Sequence, residues 1–299
     1  MSITVNWPAV PNATGYVLYR NAGSPVNLGS PPADKVDVAA DSTTYTYTSY
    51  VNNTLYYIVV GAKNPDGSVT YSEQIPMGYY PDTGPGPQSL LRGDWSFGYF
   101  GEVSAFELQT GPELYTAFLN QAGSGAIQPN GNLVISTYHK CIVNGRIVFF
   151  PDNSYSSSTT TPALMMLCKL IVPDTDYVNK GIVVSKNGYD YIARAPHGTP
   201  DPIAGIIPST DTIYLSELAM VTSLFGTSAA PVVPFVPGVT GVAKYRLADV
   251  PQTGYTGAIW STALGATGGS YVYGTTTTGV TANGNASNGR PYVVLELLF

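Results

Sequence analysis

A strict alternation of side chains near residue 60 is the feature that most constrains the fold of this chain. The residues of one face are Thr54, Tyr56, Ile58, Val60 and Ala62. A repeat of two residues places side chains on one side of a β-strand. The turn sequence Asn64-Pro65-Asp66-Gly67 follows and Val69-Thr70-Tyr71 returns, so the segment predicts a β-hairpin.

The scarcity of charge supports the same conclusion. Charged residues make up 11% of the 299 residues, whereas an ordinary soluble protein has about 25%. The polar surface must therefore come from Thr, Ser, Asn, Gly and Tyr, which favour strands and turns over exposed helices. With 32 Gly and 24 Pro for tight turns and 23 Tyr for a core, the composition predicts an ordered, β-rich protein.

The same counts argue against several classes of protein. A net charge of −6 with 13 basic residues argues against a nucleic-acid partner. No run of about eighteen apolar residues occurs, so no membrane-spanning helix is expected. The opening sequence MSITVNWPAV lacks the basic and apolar stretches of a secretory signal. Two cysteines cannot form a disulfide scaffold.

The first domain is predicted to span residues 1–79. Further strands are expected at Ile3–Trp7, Gly15–Arg20 and Thr44–Tyr47, with Gly, Pro and Asn turns between them. Short strands at this spacing predict a β-sandwich of immunoglobulin-like architecture.

The order of these residues resembles a fibronectin type III domain. The matching pieces are Trp7, the run Gly15-Tyr16-Val17-Leu18-Tyr19-Arg20 and the pattern Thr54-x-Tyr56-x-Ile58-x-Val60-x-Ala62-x-Asn64-x-x-Gly67. The resemblance implies that Trp7 is the core aromatic and that the hydroxyl of Tyr56 bonds to the backbone near a strand corner. Domains of this family space, display or dock other parts and carry no chemistry of their own.

A segment rich in proline and glycine separates the two predicted domains. Residues 80–88 hold three prolines and two glycines, which exclude regular structure and keep a linker extended. The second domain is predicted to span residues 89–299, with a strand that includes Trp95–Phe100 near its start.

The second domain is predicted to be α+β, with small sheets and three short helices. Thr110-Gly111-Pro112-Glu113 is a capping box with a proline in the first turn, which predicts a helix over residues 112–121. The other helices are expected over residues 163–170 and 216–225. The whole chain is therefore expected to be mainly β with some α.

Asparagine–glycine pairs predict two hairpins in this domain. Asn144-Gly145 lies between two apolar runs, and Asn187-Gly188 forms the second turn. Leu133–Ser136 is expected to form a separate strand. Residues 291–299 predict a final, mostly buried strand.

The second domain resembles a module found in bacteriophage virion proteins. Four pieces carry the resemblance: Gly98-Tyr99-Phe100-Gly101-Glu102-Val103, Asn144-Gly145-Arg146-Ile147-Val148-Phe149-Phe150-Pro151, Gly188-Tyr189-Asp190-Tyr191-Ile192-Ala193-Arg194 and Gly289-Arg290-Pro291-Tyr292-Val293-Val294-Leu295-Glu296-Leu297. Family members often carry a Trp-containing helix, whereas Ser216-Glu217-Leu218-Ala219-Met220 has no tryptophan. The resemblance implies a virion protein, and no shared ligand site is carried over.

His139 and Cys141 are the candidate metal ligands. The His-x-Cys spacing puts both on one face of a strand, and His197 and Cys168 are the residues that could complete a zinc site. Core thiols and a polar strand histidine are the alternative interpretation, and we assign no metal. Pairing of Cys141 with Cys168 stays open, although assembly in a reducing cytoplasm favours free thiols.

No catalytic constellation is recognised, so the chain is interpreted as a protein that is not an enzyme. A nucleophilic triad would need His139 or His197. Paired carboxylates of the glycosidase kind could come from Glu102 and Glu107 near Asp94, but nothing distinguishes these from surface or capping groups. No catalytic or cofactor-binding residue is assigned, and the ligand-binding residues are unknown.

Three further segments have a binding and a structural interpretation. Arg92-Gly93-Asp94 spells an integrin-binding tripeptide, which also arises by chance. Residues 227–237 form either an extended arm against a neighbouring protein or an ordinary loop. For Tyr271-Val272-Tyr273, the binding interpretation is contact with sugars in an adhesin, and the structural interpretation is packing within a strand.

The sequence predicts a structural bacteriophage virion component that acts by protein–protein docking in capsid decoration, the collar or neck, or a tail fibre. Low charge and abundant tyrosine suit wide polar–aromatic interfaces. Other virion proteins are the expected partners, in a homo-oligomer or symmetric multicopy array, after assembly in the host cytoplasm. The alternative is a receptor- or glycan-binding phage adhesin, and an enzyme that degrades surface polysaccharide is the third hypothesis.

Overall fold

The protein is mainly β with some α, as the sequence predicts. In the described part of the chain, antiparallel sheets account for most of the regular structure and one α-helix is present. The computed structural model describes residues 2–129, 134–153, 155, 156, 167, 168, 170, 181–196, 217, 258–262, 270–274, 280–281 and 291–299. Two compact units are distinguished: Met1–Thr83 with Asp94–Ser96, and Gly84–Gly93 with Phe97–Phe299.

The first unit contains two antiparallel sheets packed on one core. Its strands are β1 (Ile3–Asn6), β2 (Gly15–Ala22), β3 (Lys35–Val38), β4 (Thr44–Tyr47), β5 (Thr54–Lys63), β6 (Val69–Tyr71) and β7 (Ile75–Tyr79). β1 pairs with β4, and the larger sheet has the order β3-β2-β5-β6, with β7 also paired to β5. Val5 of β1, Tyr47 of β4 and Ile58 of β5 share one buried cluster. This arrangement is the sandwich that the strand spacing predicts.

The central strand β5 is buried on both faces. One face lines the core between the sheets, which confirms the alternation from Tyr56 to Ala62. The other face belongs to a second cluster, which consists of Val26, Leu55, Tyr57 and Val59. Trp95 packs against this cluster, and its ring stacks on Tyr80 with centroids 4.9 Å apart. Trp95 therefore lies in the first unit and not, as expected, in a strand of the second.

The two aromatic residues singled out by the fibronectin-like pattern have different surroundings. The hydroxyl of Tyr56 accepts a hydrogen bond from the backbone N–H of Val51 at 2.8 Å, which is the predicted kind of contact. Trp7 lies just beyond β1 and is only partly buried. Its ring packs edge-on against Tyr16, with centroids 5.4 Å apart. Trp7 thus borders the core, while Tyr16 occupies it.

The second unit is built on a seven-stranded antiparallel sheet. The described strands are β8 (Arg92–Gly93), β9 (Phe97–Ser104), β10 (Thr137–Val143), β11 (Arg146–Pro151), β12 (Ile182–Lys186), β13 (Tyr189–Arg194), β14 (Ala258–Thr262), β15 (Ser270–Gly274), β16 (Val280–Thr281) and β17 (Val294–Leu297). The large sheet has the order β12-β13-β17-β11-β10-β9-β8. A separate sheet has the order β14-β15-β16.

Both predicted asparagine–glycine hairpins are confirmed. Asn144 and Gly145 have φ angles of 50° and 74° between β10 and β11, and Asn187 and Gly188 have φ angles of 52° and 85° between β12 and β13. Two consecutive positive φ angles form the turn whose twist matches paired strands, and Asn and Gly adopt them at least cost.

Two predicted strands differ in extent from the observed ones. Residues 134–136 are irregular, because the backbone N–H of Ser136 donates to the Asp152 carboxylate and its carbonyl accepts from Ala105. These contacts satisfy the backbone without a neighbouring strand. At the C-terminal end, only Val294–Leu297 is a strand, although residues 291–293 are also buried.

The helix α1 (Gly111–Ala122) is confirmed where the capping sequence predicts it. The Glu113 carboxylate accepts hydrogen bonds from the backbone N–H and the hydroxyl of Thr110, both at 2.8 Å. Leu114 and Phe118 are buried, whereas Ala117 is only half-buried. The other two predicted helices, over residues 163–170 and 216–225, lie almost entirely outside the described residues.

The segment that follows β9 contacts the hairpin at the far edge of the large sheet. The Gln109 side-chain amide donates to the carbonyl of Ser185 at 3.2 Å, and Asn187 donates to the carbonyl of Glu107 at 3.1 Å. Lys186 forms an ion pair with Glu113 of α1. Since β9 and β12 lie far apart in the strand order, these contacts join the segment after β9 to the opposite edge of the sheet.

The predicted linker, residues 80–88, has no helix or strand, but part of it is held firmly in the second unit. The buried ammonium of Lys140 donates to the carbonyls of Gly84, Pro85 and Pro87 at 3.1, 2.9 and 2.8 Å. An ammonium group has three N–H donors, so these acceptors match them all. Residues 84–87 are therefore a strap on the sheet rather than a free linker.

Aromatic rings complete the surroundings of Lys140. Its ammonium lies 5.2 Å from the centroid of the Phe100 ring and 6.0 Å from that of Phe149. A cation near the face of an aromatic ring gains electrostatic attraction. Gly84 approaches so closely that a Cβ there would lie 3.1 Å from Leu297 and 3.5 Å from Phe149, and its φ of 79° favours glycine.

We expect Lys140→Met to lower the free energy of unfolding by about 3 kcal/mol, since carbonyls of the strap lose a charged donor. Denaturant unfolding followed by circular dichroism measures this change, and hydrogen exchange of residues 84–91 should become faster. Lys63→Met is the matched control, because Lys63 pairs with Asp37 at 2.6 Å on the surface and such pairs contribute at most about 1 kcal/mol. Equal effects of the two substitutions would contradict the assigned role of Lys140.

Candidate functional site

The candidate site of the second unit is a network of two arginines and two glutamates. Its members are Arg146, Arg194, Glu217 and Glu296. Arg146 begins β11, Arg194 ends β13 and Glu296 lies in β17, and β17 is the neighbour of both other strands. Arg146 and Arg194 thus meet at Glu217, and Arg194 also pairs with Glu296.

Arg194 is the centre of the network and is 2% exposed. Its Nη1 and Nη2 donate to the two carboxylate oxygens of Glu217 at 2.7 and 2.6 Å. Nε and Nη2 donate to Oε2 of Glu296, and Nη1 also donates to the carbonyl of Ala195. All five N–H groups of the guanidinium therefore have an acceptor.

The network contains equal numbers of opposite charges. Arg146 Nη2 lies 3.5 Å from Oε1 of Glu217, so that one carboxylate faces two guanidinium groups. The side chain of Glu217 is fully buried, whereas those of Glu296 and Arg146 are 18% and 25% exposed. Water therefore reaches the network only at its margin.

Burial on its own would lower the pKa of Arg194, because desolvation disfavours the charged form. The carboxylates of Glu217 and Glu296 outweigh this effect and raise the pKa above its ordinary value. The guanidinium accordingly stays charged at any pH at which the protein is folded. The effect of the arrangement is to fix β11, β13 and β17 relative to one another.

The four pieces from which the sequence predicts a virion module map onto the large sheet. The first piece lies within β9, and the others include β11, β13 and β17, which are consecutive neighbours in the order β13-β17-β11. Residues 289 and 290 of the last piece lie outside the described residues. Three of the four pieces contribute a member of the network, namely Arg146, Arg194 and Glu296. The fourth member, Glu217, comes from the predicted helix that lacks tryptophan.

The structure places His139 and Cys141 in β10, where both are buried. Nδ1 of His139 lies 3.4 Å from the hydroxyl of Tyr99. Burial lowers the pKa of His139 to about 4 and raises the pKa of the Cys141 thiol, so both groups are neutral at pH 7. Cys168 is likewise buried and not in a disulfide, and His197 lies outside the described residues.

The described residues contain no group of three or more His, Cys, Asp or Glu side chains placed to hold a metal ion. Glu102 and Glu107 are exposed on the second unit. Asp94 is half-buried in the first unit, where its carboxylate accepts hydrogen bonds from the backbone N–H and the hydroxyl of Ser96. The structure gives these carboxylates separate, local roles.

The Arg92-Gly93-Asp94 triplet is ordered. Arg92 and Gly93 form β8 and pair with Tyr99 and Gly98 of β9. Gly93 has a φ of 78°, and a Cβ there would lie 2.2 Å from the carbonyl oxygen of Phe97. This close approach explains the glycine structurally.

The two other candidate binding segments are residues 227–237 and Tyr271-Val272-Tyr273. Residues 227–237 lie outside the described residues. Tyr271-Val272-Tyr273 lies in β15 and pairs with β14, but its side chains are outside the description.

The buried, paired roles of Lys140 and Arg194 were not predicted from the sequence, although Arg194 ends one of the four pieces of the predicted virion module. The available signal was a charged residue beside apolar residues of a strand: Lys140 precedes Cys141-Ile142-Val143 in β10, and Arg194 follows Ile192-Ala193 at the end of β13. A charged residue is buried only when it is paired. The partners of Lys140 lie 53 or more positions away along the chain, and those of Arg194 lie up to 102 positions away.

Comparisons with known proteins add no identification. No family model matches the chain, and no curated protein matches its sequence. In the described residues, no helix is both long and apolar enough to span a membrane.

We expect Glu217→Gln to lower the free energy of unfolding by about 3–5 kcal/mol, because it leaves the buried Arg194 without its main counter-charge. Calorimetric or denaturant unfolding measures the loss. Glu102→Gln is the matched control, since Glu102 is exposed and its substitution should change stability by no more than about 0.5 kcal/mol. Combining Arg194→Met with Glu217→Gln should cost less than the sum of the single changes, and strict additivity would refute the coupling.

We expect acid to destabilise the second unit through His139. The unfolded histidine binds a proton near pH 6.5 and the folded one near pH 4, so stability falls as the pH drops between these values. The full loss is about 3 kcal/mol. Unfolding measured at several pH values should show this slope in the wild type and a flatter one in His139→Gln. Identical slopes between pH 6.5 and 4.5 would contradict the assignment.

Proposed function

We propose that this chain is a structural component of a bacteriophage virion that acts by docking to other virion proteins. The observation that carries the proposal is that the four resembling pieces form strands of one sheet, in which three of them supply charges to one buried network. The order of the four pieces along the chain and their meeting in one sheet support the proposal.

A rigid, exposed phenylalanine provides a docking contact. Phe106 is 79% exposed, whereas Ala105 and Leu108 on either side of it are fully buried. The N–H of Glu107 donates to the carbonyl of Ser104, and the N–H of Leu108 donates to that of Ala105, which fixes the turn. An aromatic side chain on a fixed backbone loses little entropy on binding and suits an apolar pocket on a partner.

The low charge of the chain suits permanent contacts. Charged groups are costly to bury at an interface unless they are paired, and only 11% of the residues are charged. A partner of matching polar and aromatic character would bury such a surface with little desolvation cost. Symmetric arrays of copies on a particle would use the same contact many times.

The first test is the location of the chain on purified phage particles, mapped by electron microscopy with a gold-labelled antibody. We expect many labels on the capsid, the neck or the tail, because a docking component is present in multiple copies. A few labels confined to fibre tips would favour the glycan-binding adhesin instead. Absence of label from intact particles would overturn the virion proposal.

A matched pair of variants sharpens this test. Phe106→Ser should reduce incorporation into particles, because it removes the apolar anchor. Val51→Ser changes a residue that is 64% exposed in the first unit and should leave incorporation unchanged. Equal incorporation of both variants would remove Phe106 from the docking surface.

A further inference from the structure

Among the described residues, β4 is the one strand that pairs with β1, and no strand pairs with the outer edge of β1. The N–H of Trp7, which continues β1, donates to the carbonyl of Thr43 at 3.0 Å. Because antiparallel strands alternate the direction of their backbone groups, Ile3 and Val5 bond to β4 as Trp7 does. The N–H and C=O groups of Thr4 and Asn6 therefore point to the open edge.

This flank of the sandwich lacks the charged side chains that protect many sheet edges. β1 lies beside β7, and β7 is an edge strand of the larger sheet, where it pairs with β5. Neither strand contains a charged residue. The opposite edge strand, β3, has Lys35 and Asp37. Charges on an edge strand discourage pairing with another chain, so the β1 flank is more open to pairing than the β3 edge. The outer edge of β4 also lacks charged residues, and the test below distinguishes it.

The same flank exposes part of the core. Ile75, Met77 and Tyr79 of β7 pack against the core cluster but are only partly buried. Trp7 has the same partial burial, and its buried Nε1 has no hydrogen-bond partner. A strand added along β1 would extend the smaller sheet over these residues.

We propose that a second copy of this chain occupies the flank through antiparallel pairing of β1 with β1 of the other copy. With Val5 on the two-fold axis, Thr4 of each copy lies opposite Asn6 of the other. Each such pair exchanges two backbone hydrogen bonds, since both residues direct their N–H and C=O groups outward. The two copies of β1 and β4 then form one continuous four-stranded sheet.

A second copy fits this flank better than another occupant for two reasons. The edge is self-complementary, because one two-fold axis satisfies Thr4 and Asn6 of both copies at once. Each copy has a net charge of −6, and an uncharged flank lets like-charged molecules meet without opposing charges. A strand from a different virion protein is the competing occupant, which the test distinguishes.

The test uses the purified full chain in sedimentation equilibrium and does not depend on the proposed virion function. We expect the wild type to have twice the mass of the monomer. Thr4→Pro removes an outward N–H and no bond to β4, so it should halve the mass. Thr46→Pro is the matched control: Thr46 is the cross-strand partner of Thr4, is equally exposed, and directs its N–H to the other edge of β4. This variant should remain dimeric.

The other outcomes overturn the inference. A monomeric wild type would leave the edge to a different protein, and a dimeric Thr4→Pro variant would place the interface elsewhere. Loss of the dimer in the Thr46→Pro variant alone would assign it to the β4 edge, and loss in both variants would show that it depends on the intact β1–β4 sheet rather than on the β1 edge.

Cysteine cross-linking tests the register itself. The combined Thr4→Cys and Asn6→Cys variant should form a covalent dimer under mild oxidation, because these residues face each other across the axis. Either single substitution should not, and neither native cysteine interferes because both are buried.

Discussion

The second unit depends on the requirement that a buried charge must have partners. Arg194 is almost fully removed from water, and each N–H group of its guanidinium has an acceptor on Glu217, Glu296 or Ala195. A one-residue shift of β17 against β13 would turn Glu296 to the opposite face and leave Arg194 short of a carboxylate. The network therefore disfavours alternative registers more strongly than apolar packing alone would.

Lys140 meets the same requirement by different means. Its acceptors are backbone carbonyls of a segment that could not form a helix or strand of its own. The ammonium gains hydrogen bonds, and the proline–glycine segment gains a fixed course across the sheet. One charged side chain thus decides that residues 84–87 are part of the second unit.

The two buried charges have their partners inside the protein. The strongest electrostatic arrangements are internally neutralised, and His139 and Cys141 are held neutral by burial. Two surfaces present groups that can bind a protein. The turn at Phe106 exposes an aromatic side chain, and the edge of β1 exposes backbone N–H and C=O groups. Both surfaces suit binding to proteins, which is the basis of the proposed function and of the proposed dimer.

The sequence by itself determined the local structure of this protein. The alternation along β5, the turns at Asn144-Gly145 and Asn187-Gly188 and the start of α1 depend on residues within a few positions of one another, so they were predictable. Only the tertiary structure decided the partners of Lys140 and Arg194, the position of Trp95 in the first unit and the burial of β5 on both faces. These features depend on contacts between residues far apart in the chain. A buried charge needs hydrogen-bond acceptors and a large ring needs packing partners, and only the folded chain brings these groups together.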